Sequence, residues 1–133
     1  MKEVKFRGRR VGNSKWVYGF YALISNKHHQ IFSGTWHHAS GSPNSFEVNP
    51  ETVGQYTGLK DAKDVEIYEG DIIQDAEENK YVILWDSGDA RFVSVNLPDY
   101  ILNSESRFDE EKLIWAICKV IGNIYENLEL LKP

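Results

Sequence analysis

The segment QYTGLKDAKDVEIYEGDII, residues 55–73, decides how the chain reads. It gathers Tyr56, Tyr68, Gly58, Gly70 and the acids Asp61, Asp64, Glu66, Glu69 and Asp71 into a stretch too short for a domain. Acids at this density suggest either an active site or a folded bracket. A hydrolase needs two carboxylates close together, one of them in an apolar setting that separates their pKa values. Strand alternation instead sends Glu66 and Glu69 to opposite faces. Asp71 follows Gly70 at a corner, where a short carboxylate bonds the local backbone N–H groups. Gly58 and Gly70 are read as flanking turns that use positive φ. Tyr56 and Tyr68 are expected as core or rim rings whose hydroxyls reach a partner. The segment is therefore expected to be structural, with Ile67, Ile72 and Ile73 anchoring it in the core.

On either side the pattern is that of strands. VKFRGRR alternates, with Val4 and Phe6 on one face and Lys5, Arg7 and Arg9 on the other. VGNSK supplies turn residues, and WVYGFYALI is a β-branched and aromatic run, so the chain should open with a β-hairpin. HHQIFSGTW gives a third strand, HHASGSPNS a surface loop, and FEVNPETVGQY a short strand, a break at Pro50 and a helical turn. EIYEGDIIQ, KYVILWD and ARFVSVN follow as strands of a meander, and LPDYILNSESRFDEEK as an excursion with a short helix. KLIWAICKVIGNIYENLELL has apolar residues at helical spacing. Its β-branched residues and the Gly122-Asn123 pair oppose a helix, which favours a strand through Ile124 that closes a small barrel, then a helical turn.

A chain of 133 residues is one domain's worth. We read a single domain, with a basic β part at 1–48 and the motif and acidic barrel part at 49–133. Residues 1–60 hold eight Lys or Arg against three acids, a net of +5, and residues 61–133 hold seven against seventeen, a net of −10. Pairing between the halves, self-association, or a nucleic-acid contact by the first half would each account for this. No apolar run approaches the ~20 residues that span a bilayer, and MKEVKFRGRR lacks the apolar stretch of a signal peptide. A cytoplasmic protein without a membrane contact is expected. The lone Cys118 lies among apolar neighbours, as a buried, inert thiol would.

Lys5, Arg7 and Arg9, with Trp16 nearby, form the one candidate nucleic-acid contact, since cations beside stacking groups make a platform for single strands. The acidic second half would repel the same phosphates, which favours a protein partner. His28-His29 and His37-His38 could suggest a metal, but adjacent strand residues face opposite ways and no zinc spacing matches, so exposed loop histidines are expected. No nucleophile triad, phosphate loop or Cys-x-x-Cys motif occurs, so no catalytic, metal or cofactor residue is assigned and no cofactor is expected.

TVGQYTGLKDAKDVEIYEGDII, the opening KFRGRR with KWVYG, and the closing VIGNIYENLELL together resemble the YopX family of phages and prophages of Gram-positive bacteria. The resemblance implies a mainly β protein related to SH3-like barrels, encoded by a phage or an integrated element in a bacterial host, and brings no particular reaction with it. The chain departs from similar members at Lys63-Asp64, where they carry Asn-Gly, and at Leu128, where they carry proline. Lys-Asp suits a tight type I′ hairpin poorly, so a longer turn is expected there. Together these readings describe a non-enzymatic binding module for a protein partner. A nucleic-acid-binding barrel and a metal-dependent hydrolase are the alternatives.

Overall fold

The computed structural model describes residues 3–24, 27–33, 44–102 and 112–132. The protein is mainly β, as expected, with antiparallel sheets and only short helical pieces. It divides into two compact units, Met1–Tyr56 and Thr57–Pro133, each with its own core.

The first unit opens with the expected hairpin. β1 (Phe6–Arg9) pairs antiparallel with β2 (Trp16–Ile24), in a register that sets Arg9 opposite Trp16 and Arg7 opposite Tyr18. The turn between them closes through the Arg10 N–H on the Lys15 carbonyl at 2.8 Å and the Lys15 N–H on Asn13 Oδ1 at 3.0 Å. β3 (His28–Ser33) and β4 (Asn44–Glu47) extend the sheet, and the first residues of β5 (Gly54–Lys60) pair with β1, giving the order β4-β3-β2-β1-β5. Between β4 and β5, Pro50–Thr52 forms a 3-10 turn, and the Asn49 side chain accepts the Glu51 N–H at 3.1 Å. Proline fits there because the first helical position has no use for an N–H. Ile31 and Val48 are buried, and the rings of Phe6 and Tyr21 pack with centroids 5.8 Å apart. Val4, expected inward beside Phe6, lies ahead of β1 and is exposed, so only Phe6 follows the inward half of the alternation.

In the second unit, β5 pairs with β6 (Glu66–Tyr68), and a four-stranded sheet runs in the order β10-β7-β8-β9. Its strands are β7 (Asp71–Gln74), β8 (Lys80–Asp86), β9 (Arg91–Asn96) and β10 (Lys119–Asn123). The run EIYEGDIIQ is thus two strands, β6 and β7, broken at Glu69 and Gly70. Side-chain alternation along β7 serves two cores. Ile73 joins Ile67, Ile83, Phe92, Trp115 and Cys118 on one side. Ile72 joins Val82 and Leu97 on the other, where the short helix α1 (Leu97–Ile101), Leu130 and Leu131 pack. The small barrel that the last strand was expected to close is not closed, and the strands form antiparallel sheets instead.

The ambiguous segment after residue 111 is corrected in one respect. Lys112–Ile117 is a 3-10 helix, and the strand begins only at Lys119. In a 3-10 helix residues i and i+3 lie over each other, which lets Trp115 and Cys118 enter the same core, each 1% exposed. A strand would send them to opposite faces. β10 pairs with β7 through an irregularity between Val120 and Gly122, and Leu128–Leu131 forms the expected final helical turn.

Candidate functional site

Two acids of residues 55–73, Asp61 and Asp71, accept backbone N–H groups, a role expected of Asp71. Asp61, at the end of β5, accepts the Lys63 and Val65 N–H groups on Oδ1 at 2.8 and 2.9 Å. Its Oδ2 accepts the Val120 N–H of β10 at 2.8 Å, across 59 residues of chain. The Ala62 N–H donates to the Cys118 carbonyl at 2.8 Å beside it. This is the longer turn expected in place of a type I′ hairpin, and Asp64 takes its single positive φ, 68°. Asp71 is 2% exposed and accepts the Tyr68 N–H on Oδ2 at 2.8 Å. The Tyr68 hydroxyl donates to Glu66 at 3.2 Å, and Asp64 lies 3.6 Å from the exposed Lys60 ammonium.

Gly70 stands at the second corner with φ +92°. Its N–H donates to the Ile83 carbonyl at 2.7 Å and its carbonyl accepts the Ile124 N–H at 3.0 Å. A Cβ there would come within 2.8 Å of the Tyr125 ring. The two ends of the motif are therefore clamped onto one partner, the closing segment around residues 118–125. Gly58 differs from its expected place, lying inside β5 with φ +88° and open space around it, so its glycine serves the backbone bend and no close approach. Tyr56 and Tyr68 are both buried.

The histidines depart from the loop expectation where they are described. His28 and His29 begin β3 and point to opposite faces, His28 meeting Glu47 at 2.7 Å and His29 the Tyr21 hydroxyl. His37 and His38 lie outside the described residues. Among the described residues no three His, Cys, Asp or Glu side chains gather as metal ligands.

Lys5, Arg7, Arg9 and Trp16 are brought together on one face of the first unit. Arg7 is only 6% exposed, its guanidinium 4.5 Å from the centre of the Trp16 ring. The Lys5 ammonium lies 5.4 Å from the Tyr56 ring centre and 3.4 Å from Glu3. Arg9 is half-buried, with Nε donating to the Ser14 carbonyl at 3.3 Å. Strand alternation places Trp16, Tyr18, Phe20 and Ile24 of β2 on this same face, where Tyr18 is 46% and Phe20 67% exposed. Arg9 also lines a cleft of about 360 Å³ at the hairpin end, with Arg10, Ser14, Asn49 and Thr52 among others. Arg10 lies against the Phe46 ring, 4.3 Å from its centre.

The family model described as YopX protein matches residues 5–132, nearly the whole chain. The chain belongs to the YopX family. No curated protein matches it closely enough to count as a relative. No helix among the described residues is long and apolar enough to cross a membrane.

Two features of this YopX chain escaped the sequence reading. Tyr18 and Phe20 look like core residues in an apolar run, and only the pairing of strands shows which face is left open. Asp61 was one acid among five, because the amide it holds on β10 is remote in sequence. Its carboxyl carries a pH signature. Burial pushes its pKa up, but the N–H groups of Val120, Val65 and Lys63, with the Lys63 charge, outweigh this and hold it below the ordinary 3.8. A group lowered on folding stabilises the fold above its unfolded pKa, and that contribution is lost as pH falls through the folded value. Wild type and Asp61→Asn should therefore differ in melting temperature at neutral pH and converge below about pH 4. A gap that persists into acid would contradict the assignment.

Proposed function

We propose that this YopX chain is a non-enzymatic binding module, an accessory protein of phage or prophage type, and that the Tyr18–Phe20 face of its first unit receives the partner. Membership of the family supports the phage type. The docking site rests on one observation, that β2 carries large apolar side chains at two-residue intervals on a single open face. Burying such a side chain releases about 1.5–3 kcal/mol, and aromatic and arginine side chains together are common anchors of binding surfaces. The acids favour no hydrolytic reading, because Asp61 and Asp71 accept backbone amides that the fold needs.

The test is capture of partners by the tagged full chain from cells carrying the phage or prophage. Tyr18→Ser combined with Phe20→Ser should abolish capture and leave the melting temperature within about 2 °C, since exposed substitutions stay within about 0.5 kcal/mol. Capture that survives the double substitution would refute the docking face.

A further inference from the structure

We infer that the chain pairs with a second copy of itself through the surface around the β7–β8 turn, which lies wholly within the second unit and is independent of the Tyr18–Phe20 face. Three pieces of chain meet there. The turn and the start of β8 supply Glu78 and Lys80, the C-cap of α1 supplies Leu102, and the final 3-10 turn supplies Glu129 and Leu130, with Lys132 just after it. Together they line a cleft of about 570 Å³. Leu102 is 75% exposed, and Ile117, which lines a smaller cleft sharing Glu78, is 71% exposed. One open aliphatic side chain is ordinary, but two beside adjoining clefts mark an interaction surface.

Charge selects the occupant. Residues 57–133 hold eight Lys or Arg against seventeen acids, so two copies of this unit repel on average. The larger cleft is balanced, with the ammoniums of Lys80 and Lys132 beside the carboxylates of Glu78 and Glu129. None of these four has an ion-pair partner among the described residues, and Glu129 meets only the Asn127 amide, at 3.3 Å. A two-fold interface sets one patch against itself and therefore needs a patch that complements itself. A rim of both signs does so, each lysine meeting a glutamate of the other copy while Leu102 of each enters the other's cleft. A partner of one sign, acidic or basic, would leave half of the rim facing like charge. A small apolar ligand would leave all four groups unmatched.

Sedimentation equilibrium on the full chain tests this. The mass should rise with concentration from that of the 15.3 kDa chain toward twice that value. A dissociation constant on the order of 10 µM is expected for so small a contact. Leu102→Asp should weaken pairing about ten-fold or more. Lys80→Glu with Lys132→Glu makes the rim wholly acidic, and Glu78→Lys with Glu129→Lys makes it wholly basic, so each variant alone should stay monomeric at about 100 µM. Mixed in equal amounts, the two should pair with each other at least as tightly as wild type does, because opposite rims now meet. Melting temperatures within about 2 °C of wild type, read at about 1 µM where the wild type is also monomeric, identify these as contact losses.

A wild-type mass of one chain at about 200 µM, pairing indifferent to Leu102→Asp, or charge-reversed variants that fail to pair when mixed would each overturn the inference. Pairing lost with Tyr18→Ser and Phe20→Ser but kept with Leu102→Asp would put the contact on the first unit and overturn it as well.

Discussion

Valine at position 70 should destabilise the second unit by about 3 kcal/mol or more. Three costs coincide. The backbone there has φ +92°, where a β-branched residue is strained. The first added carbon would stand 2.8 Å from the Tyr125 ring and 3.3 Å from its hydroxyl oxygen. Backbone movement to relieve that contact would stretch the bonds from Gly70 to Ile83 and Ile124. Alanine at the same site meets the first two costs with less bulk and should lose less. In urea the midpoint should fall with little change in slope, as it does when stability changes and the surface exposed on unfolding does not. A Gly70→Val midpoint equal to wild type would mean that the corner bears no strain.

Asp61→Ala should cost about 2–4 kcal/mol and Asp71→Ala about 1–3 kcal/mol, through amides left without an acceptor. Asp61 serves three amides, two in its own turn and one on β10, so its loss loosens the turn and its dock together. Bonds to a charged acceptor are stronger than neutral ones, so Asp61→Asn should fall between wild type and alanine. Asp71 serves the buried Tyr68 N–H beside the Gly70 corner. Chemical denaturation gives both numbers, and losses below about 0.5 kcal/mol would return these acids to the pool of candidate contact residues.

Much of the β architecture was legible because strand formation is largely local. The alternation in FRGR, the turn residues of GNS and the apolar runs of β7, β8 and β9 each announce a strand without reference to the rest of the chain. Residues 112–117 resisted, since Trp115 and Cys118 at a spacing of three fit a helix while their β-branched neighbours fit a strand. The short 3-10 helix met the helical spacing, and the strand followed it. Asp71 could be read as a corner acid because its partner, Tyr68, is three residues away. Asp61 could not, because Val120 comes to it only through folding. The basic row was legible as a row but not in its environment. Arg7 is nearly buried against Trp16, a contact set by strand register, while Phe20, which reads as core, stands open. Local pattern finds the strands, and pairing decides which faces are left for a partner.

The central claim is that the acidic motif holds the fold while a different face meets the partner. Its most direct test measures melting temperature and partner capture on the same Asp61→Ala and Asp71→Ala proteins, with capture assayed where both remain folded. We expect melting to fall by about 4 °C or more in each, with capture by the folded protein at the wild-type level. Unchanged melting with capture abolished would place the functional site in the motif and contradict the account.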